Sequence, residues 1–360
     1  MARVYNFSAG PSTLPVEILE ETQKELVDFD GQGMSLLEMS HRGKQYEAVH
    51  GEVLALAREL VDLPDDFEVL LLQGGATLQF TMVPANLLGE RRAGAYAVTG
   101  SWAKKALADA RHYGDAYAAW EAPEPAVLRT PRDEELSLRP DTRYLHITSN
   151  ETIEGIRYPD WPDVDVPLVA DMSSDFLSRP IEWSRFDLAY GGAQKNLGPA
   201  GVALVYVRRR VLAQAPNALG AYLRYAVHAD KDSLYNTPAV FAVWMMGKVL
   251  RWLRDHGGVR AMAEAAQRKS AALYTVIDES DGFYDCPAEP RCRSHMNVVF
   301  RLPDDELQER FLAEAAAAEL VNLKGHRSVG GCRASLYNAM PQEGADRLAE
   351  LMRDFAKRAG

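Results

Sequence analysis

The spacing of hydrophobic residues near the start of the chain predicts a first helix. Ser12 or Thr13 ends a turn-rich opening, and either residue is expected to cap the helix that follows. Apolar residues then recur at helical spacing, which places Val16, Leu19 and Leu26 on one face.

After a second helical pattern over residues 49–60 the period changes, and short apolar runs predict buried strands. These runs lie at residues 69–72, 95–98, 144–147, 167–170 and 202–207. Buried strands that alternate with helices indicate an α/β domain with a mostly parallel sheet.

The pattern changes again after Gly257 and Gly258, which are expected to end a long helix and act as a hinge. Beyond them it predicts a helix, a strand at residues 297–300, a helix, short strands near Leu320 and Cys332, and a terminal helix.

Two domains follow from this division. We expect a large α/β domain over residues 15–256 and a smaller α+β C-terminal domain over residues 257–360, with residues 1–14 packing nearby. Residues 121–140 are rich in Pro and Glu, which predicts an excursion over the surface.

Composition and charge exclude several classes of protein. The 360 residues carry a formal net charge of −11, which argues against nucleic-acid binding. Cys286, Cys292 and Cys332 have neither a metal-ligand spacing nor the even count of a disulfide framework. No run approaches the roughly 20 apolar residues of a membrane helix, and no signal peptide is evident. We expect a cytoplasmic protein with reduced thiols, no metal site and no membrane partner.

A glycine-rich segment carries the first candidate for chemistry. An apolar strand runs into Gly191 and Gly192 and then into Lys195, and glycines let a ligand approach the backbone closely. A lysine held in such a loop can form an imine with an aldehyde. A surface lysine in a turn fits the same segment, so this segment alone leaves both readings open.

Asp171 follows the predicted strand at residues 167–170. Ligands of α/β sheets bind beyond the carboxyl ends of the strands, where a carboxylate can pair with a protonated pyridine nitrogen. The separation between Asp171 and Lys195 allows one intervening strand, so both residues could face one site. A helix N-cap is the alternative use of this Asp.

Gly74 and Gly75 follow a predicted strand and open a helical stretch, which offers backbone N–H groups to a phosphate. The segment is neither a Walker A loop nor a dinucleotide-binding pattern, and glycine turns of this kind also occur without a ligand.

Two His-Arg pairs are candidates for binding anions. They are His41-Arg42 and His326-Arg327, and Arg333 follows the second pair. Arginine grips carboxylates and phosphates with a bidentate fork. These residues exceed the needs of one carboxylate, so they indicate a substrate with two anionic ends. Ordinary solvated loops are the alternative for either pair.

Six segments, in order along nearly the whole chain, resemble a known family. They lie at residues 6–11, 34–42, 149–155, 191–196, 235–238 and 324–333. Together they resemble the phosphoserine aminotransferases, which are class-V aminotransferases of fold type I that depend on pyridoxal 5′-phosphate. One small departure is Ala239, where many members have a second proline.

The resemblance implies roles around the cofactor. Lys195 would hold pyridoxal phosphate as a Schiff base and shuttle protons, and Asp171 would pair with the ring nitrogen. Further contacts would be stacking by Trp102, a hydrogen bond from Thr152 to the ring oxygen, and contacts near the phosphate from Ala76, Thr77 and Gln194. The resemblance also implies a homodimer with shared sites, in which Asn236 and Thr237 reach the phosphate from the partner subunit.

The family reaction implies roles for the basic residues. Arg333 would hold the substrate α-carboxylate, and the distal anion would be held by His41, Arg42, His326 and Arg327. L-Glutamate would pass its amino group to 3-phosphohydroxypyruvate, giving O-phospho-L-serine and 2-oxoglutarate in serine biosynthesis. Some members also form 4-phosphohydroxy-L-threonine in pyridoxine biosynthesis.

Other class-V activities are the nearest alternatives, namely serine or alanine–glyoxylate transamination and cysteine desulfuration. A desulfurase needs a mobile cysteine at the cofactor, whereas Cys332 lies between Gly331 and Arg333 and is interpreted as structural. A serine or alanine enzyme has no need for a second basic pair. A cofactor-binding protein without turnover is the alternative from another class, and the filled catalytic positions argue against it.

Overall fold

A computed structural model of the chain describes residues 3–88, 92–122, 128–213 and 219–359. The strands are β1 (Tyr5–Asn6), β2 (Phe67–Leu72), β3 (Ala93–Val98), β4 (Asp115–Glu121), β5 (Thr142–Thr148), β6 (Asn150–Glu151), β7 (Ile156–Arg157), β8 (Leu168–Asp171), β9 (Phe186–Gly192), β10 (Ala203–Arg208), β11 (Asn297–Phe300), β12 (Leu320–Val321) and β13 (Cys332–Ser335). The helices are α1 (Val16–Glu25), α2 (Lys44–Glu59), α3 (Gly75–Leu87), α4 (Ser101–Ala110), α5 (Arg209–Leu212), α6 (Tyr225–Ala229), α7 (Val240–Asp255), α8 (Gly258–Asp278), α9 (Asp305–Ala317) and α10 (Gln342–Ala359).

Seven of the described strands form one sheet in the order β2-β10-β9-β8-β5-β3-β4. β10 runs antiparallel to both of its neighbours, and the remaining pairs are parallel. Every side chain of β3, β8 and β9 is buried, because helices cover both faces of the sheet. The predicted α/β fold with a mostly parallel sheet is confirmed.

The edge strand β4 was missed by the sequence patterns, which predicted a surface excursion starting at Glu121. Only Ala116 and Ala119 of this strand are buried, and its two ends, Asp115 and Glu121, are exposed. β4 has a sheet neighbour on one side only. Residues 123–127 of the predicted excursion lie outside the described residues. Leu128, the next described residue, forms an isolated parallel bridge with Ala288.

The predicted cap of the first helix is wrong. Pro15 occupies the N-cap position of α1, and no side chain there accepts a capping hydrogen bond. The Ser12 hydroxyl donates instead to the backbone carbonyl of Lys195, so it belongs to a tertiary contact rather than to the helix.

The apolar face predicted for this helix lies on its exposed side. Val16, Leu19 and Leu26 are 42%, 37% and 39% exposed. The buried positions are Ile18 and Thr22, which pack against α7. Thr22 can be buried because its hydroxyl donates to the carbonyl of Ile18 at 2.7 Å.

The C-terminal elements follow the predicted order. Gly257 lies between α7 and α8 and Gly258 begins α8, with φ values of +91° and +68°, a conformation that favours glycine. Phe7 from the N-terminal segment joins the hydrophobic cluster of the last hundred residues, and β1 pairs in parallel with β12. None of the described helices is both long and apolar enough to cross a membrane.

Candidate active site

A cavity of about 610 Å³ lies at the carboxyl ends of β5 and β8, where α/β sheets bind ligands. The predicted site residues that line it are Ala76, Thr77, Trp102, Thr152, Asp171, Gln194, Lys195, His326 and Arg333. The structure therefore brings together most of the residues that the sequence singled out.

Lys195 places its amine inside this cavity. Its Nζ donates to Thr152 Oγ1 at 2.7 Å and lies 5.6 Å from the centroid of the Trp102 ring. Burial lowers the pKa of Lys195 to about 8, although the carboxylates of Asp171 and Glu151 act in the opposite direction. A larger share of this amine is therefore neutral near physiological pH than for an ordinary lysine.

A second buried lysine shows why a low pKa alone does not mark a nucleophile. Burial lowers the pKa of Lys269 to about 7, yet its Nζ donates to the carbonyl oxygens of Tyr337 and Met340 at 2.7 and 2.9 Å. Lys269 does not line the cavity and holds two backbone segments together.

Asp171 ends β8, opposite Thr148 of β5 and Tyr190 of β9. Its Oδ1 accepts hydrogen bonds from the Ser173 amide at 2.9 Å and the Ser173 hydroxyl at 2.6 Å. Turns and not a helix follow it, so the helix-cap interpretation is wrong. Burial raises the pKa of Asp171, while the charge of Lys195 and the bonds from Ser173 act to lower it.

The N-terminal segment around Ser12 hydrogen-bonds to the backbone at Gln194 and Lys195. The Ser12 amide donates to the carbonyl of Gln194 at 3.0 Å, beside the hydroxyl contact to Lys195. A Cβ on Gly10 would lie 3.4 Å from Lys195 Cγ, so the approach is close. The sequence patterns did not predict this contact with Lys195, although Gly10 and Pro11 indicated a turn.

The first turn of α3 is a candidate anion site. Gly74 and Gly75 have φ values of +90° and +60°, and a Cβ on Gly74 would lie 2.7 Å from the Leu78 side chain. The amides of the first residues of a helix lack intrahelical partners, and here Ala76 and Thr77 line the cavity. The helix dipole adds positive potential at the same point.

Sequence reasoning missed two buried carboxylates, Glu151 and Glu154, which bind the first turn of α4. Glu151 accepts from the amides of Trp102 and Ala103 at 3.1 and 2.9 Å. Glu154 accepts from the Ser101 amide at 2.8 Å and from its hydroxyl at 2.6 Å. The two carboxylates therefore fix the turn that places Trp102 on the cavity wall.

The Glu151 carboxylate is crowded as well as buried. Burial, followed by the neighbouring Glu154, raises the pKa of Glu151 well above its ordinary value. A Cβ on Gly100 would lie 2.7 Å from the carboxyl carbon of each glutamate. The signal in the sequence is the pair of glutamates at residues 151 and 154, which in isolation is indistinguishable from a solvated surface pair.

Arg333 enters the cavity from β13. Its Nη1 donates to the carbonyl of Thr152 at 3.3 Å, and burial lowers its pKa. His326 lines the same cavity, whereas Arg327 is exposed and does not.

Four other predicted residues also lie away from the lining of this chain's cavity. They are His41, Arg42, Asn236 and Thr237. Asn236 Nδ2 donates to Gln73 Oε1 at 3.1 Å, and Gln73 Nε2 donates to the carbonyl of Thr237 at 3.3 Å. These contacts place Asn236 and Thr237 beside the turn that leads into α3.

Cys332 is buried in the C-terminal hydrophobic cluster and does not line the cavity. Burial raises the pKa of its thiol to about 12, which suppresses the thiolate. The structural interpretation of this cysteine fits better than that of a desulfurase nucleophile. Among the residues described, no cluster of His, Cys, Asp or Glu could hold a metal ion.

Comparison with known proteins gives a family for this arrangement. The class-V aminotransferase family model matches residues 4–348. Phosphoserine aminotransferase of Laribacter hongkongensis is 51% identical over 357 residues, 99% of each chain. A solved phosphoserine aminotransferase, in a study of radiation damage to its Schiff base, superposes with a TM-score of 0.97 at 47% identity over 100% of both chains.

The pyridoxal-phosphate-bound phosphoserine aminotransferase of Trichomonas vaginalis superposes with a TM-score of 0.93 at 36% identity, covering 98% of this chain and 100% of that one. The fold is therefore that of the fold-type I transferases that use this cofactor. By sequence and by structure, the chain belongs to the phosphoserine aminotransferase family of the class-V aminotransferases.

Proposed function

We propose that this aminotransferase uses pyridoxal phosphate to move the amino group of L-glutamate to 3-phosphohydroxypyruvate, giving O-phospho-L-serine and 2-oxoglutarate. The observation that carries the proposal is the buried amine of Lys195, which shares one cavity with Asp171 and Arg333.

The residues around Lys195 fit the cofactor. The cavity combines a nucleophilic amine, a buried carboxyl, the free amides that begin α3, and the Trp102 indole N–H, which is buried without a partner among the described residues. These groups complement an aromatic aldehyde that carries a phosphate. When bound, the cofactor supplies a carbonyl that takes up the amino group and a ring that withdraws electrons from the substrate α-carbon.

Lys195 is proposed as the residue that holds the cofactor and moves the proton. Its neutral amine can accept a proton from the substrate α-carbon and return it elsewhere. The hydrogen bond to Thr152 orients Nζ, and the low pKa makes the neutral form accessible. Gln194, which precedes Lys195 in the chain, is proposed to contact the cofactor near its phosphate, with Ala76 and Thr77.

Asp171 is proposed to pair with the ring nitrogen. Burial raises its pKa, which makes the carboxylate a stronger base and favours a proton on the pairing nitrogen. Ser173 holds one carboxylate oxygen with two hydrogen bonds and so fixes its orientation.

The basic residues divide between the two ends of the substrate. Arg333 is proposed to hold the α-carboxylate. His326, which lines the same cavity, is proposed to bind the distal anion. Arg327, His41 and Arg42 would complete the distal anion site. One site then accepts a phosphate in one half-reaction and a side-chain carboxylate in the other.

A homodimer with shared sites follows from these assignments. His41, Arg42, Asn236 and Thr237 do not line this chain's cavity, and we propose that they act in the site of a second copy of the chain. The segments that carry them also expose apolar side chains, which is typical of an interface. These side chains are Met34, Leu37, Tyr235 and Phe241.

The domain division remains a proposal, with residues 15–256 forming one domain and residues 257–360, with 1–14, forming the other. The pairing of β1 with β12 supports the placement of the N-terminal segment. A cytoplasmic location is proposed from the three free cysteines. We also propose that the distal anion site accepts the phosphorylated keto acid that gives 4-phosphohydroxy-L-threonine in pyridoxine biosynthesis.

A panel of half-reactions tests the proposal. The purified holoenzyme is mixed with single amino donors, and the change in the visible absorption band is followed; keto acids are then added to the aminated form. L-Glutamate and phosphoserine are expected to react at least tenfold faster than alanine, and 3-phosphohydroxypyruvate faster than glyoxylate. A preference for alanine and glyoxylate would identify the alternative class-V activity instead.

A further inference from the structure

A second cavity, of about 260 Å³, adjoins the active-site cavity at Asn150. Asn150 lines both cavities. The second cavity is bounded by β7, by the turns after β8 and by α8, and its lining includes Arg157, Asp175, Arg179 and His295. The proposed transamination uses none of these four side chains.

The guanidinium group of Arg157 lines this cavity and forms no ion pair with the described residues. Its Nε is buried and makes no hydrogen bond, and no carboxylate of the described chain lies within ion-pair distance of it. A half-buried guanidinium is costly unless its donors are satisfied. The site therefore has unused capacity for an acceptor.

Arg179 is only partly satisfied. Its Nη1 donates to the carbonyl of Tyr158 at 2.6 Å, and its guanidinium lies 3.9 Å from the centroid of the Trp161 ring. Its Nε lies 3.1 Å from Asp175 Oδ2, close enough for an ion pair but not aligned for a hydrogen bond. Its Nη2 is buried with no partner in the described part of the chain.

Asp175 does not neutralise both arginines. Its other oxygen accepts a hydrogen bond from the Ser149 hydroxyl. Glu264, the second carboxylate of the lining, is exposed and lies near Arg268 at 3.8 Å. Asp175 Oδ2 makes the ion-pair contact with Arg179 but accepts no hydrogen bond, so the inner wall presents two guanidinium groups to a single buried carboxylate.

His295 adds a third nitrogen group to the wall. Its Nδ1 is 2.7 Å from the Ser270 hydroxyl, which anchors the ring to α8. Burial, then the charges of Arg157 and Arg179, lowers the pKa of His295 to about 4. The ring is therefore neutral at physiological pH and lies within the field of both arginines.

We propose that this cavity is a binding site for a small oxyanion, held by Arg157 and Arg179 with His295 as a third contact. Both arginines line the cavity, and guanidinium N–H groups are donors that carboxylates and phosphates accept in bidentate form. A phosphate group and a carboxylate share this chemistry, so the ligand class is an oxyanion, and the two sources are separated by experiment.

Crystals of the cofactor-loaded enzyme soaked in inorganic phosphate test the site directly. Tetrahedral density between Arg157 and Arg179 is expected. Density beside Arg333 in the same crystal reports separately on the proposed substrate site, so failure of one proposal is distinguishable from failure of the other. Only water between the two arginines at saturating phosphate would overturn the anion site.

Calorimetric titration of the holoenzyme with phosphate, and separately with acetate, measures which oxyanion is preferred.

Arg157→Gln is expected to weaken binding at the second cavity at least tenfold while basal transamination is unchanged. The matched control is Arg254→Gln, an exposed arginine paired with Asp255. If Arg157→Gln folds poorly, Arg157→Lys replaces it, because lysine keeps the charge but cannot form the bidentate fork. The affinity of Arg157→Lys for phosphate is expected to lie between that of wild type and that of Arg157→Gln. Equal affinities in wild type and Arg157→Gln would refute the assignment.

Discussion

Thr152 joins Lys195 to Arg333. Its hydroxyl accepts from Lys195 Nζ at 2.7 Å, and its carbonyl accepts from Arg333 Nη1 at 3.3 Å. One residue, in the turn between β6 and β7, thus contacts both the proposed nucleophile and the proposed carboxylate ligand. These two hydrogen bonds link the amine, which follows β9, to the arginine of β13.

The lowered pKa of Lys195 predicts the pH dependence of cofactor uptake. The neutral amine attacks the aldehyde and the protonated amine does not, so capture of pyridoxal phosphate by apoenzyme should speed up as pH rises and level off above about 8. Stopped-flow absorbance from pH 6 to 10 measures it. A midpoint near the ordinary lysine value of 10.5 would show that the cavity does not perturb this amine.

Asp171→Asn is expected to slow the half-reaction with L-glutamate by roughly 10²-fold or more, because a fixed charge at the ring nitrogen is lost. Single-turnover rates under saturating glutamate measure the effect. Asp255→Asn, an exposed change, is the control. Ser173→Ala should produce a smaller loss, since one of the two hydrogen bonds comes from the backbone and remains. An Asp171→Asn rate equal to wild type would remove this carboxylate from the mechanism.

Gly100→Ala is expected to destabilise the protein by about 1–3 kcal/mol, because the new Cβ would lie 2.7 Å from the carboxyl carbons of Glu151 and Glu154. The backbone there is extended, so the cost is steric. Gly51→Ala is the matched control: nothing lies within 4 Å of its Cβ in α2, and up to about 1 kcal/mol of stabilisation is expected. Denaturant midpoints compare the two, and identical shifts would mean that the glutamates move aside freely.

Arg42→Ala combined with Arg327→Ala is expected to lower kcat/KM for phosphorylated substrates by roughly 10²-fold, because two charge-assisted hydrogen bonds are removed. Alanine, which has no distal anion, should lose far less. Arg254→Ala with Arg268→Ala removes two exposed charges elsewhere and serves as the control. Equal losses for both substrate types would show that the distal anion site is misplaced.

The central strands could be predicted because they are buried on both faces and read as continuous apolar runs. β4 could not, since only Ala116 and Ala119 of this strand are buried and its ends are charged. The face of α1 was misjudged for a related reason: periodicity locates an apolar stripe but does not reveal that the helix rests on α7 through Ile18 and Thr22.

The shared cavity position of Lys195 and Asp171, the proposed nucleophile and its proposed partner carboxylate, could be anticipated because glycines and a strand end mark these residues in the sequence. Glu151 and Glu154 were not, because their burial depends on β6 and the turn after it packing against the start of α4. The position of Asn236 beside Gln73, outside the lining of the cavity, likewise depends on long-range packing that no local pattern encodes.

Reduction with borohydride tests the central claim most directly. Treating the holoenzyme should fix the cofactor to a single peptide, the one that contains Lys195, and Lys195→Ala should be unlabelled with turnover lowered by roughly 10³-fold or more. Lys231→Ala, at an exposed position, should be labelled and active as wild type. Label on the peptide of Lys269, the other buried lysine of low pKa, or an active and unlabelled wild type, would contradict the account.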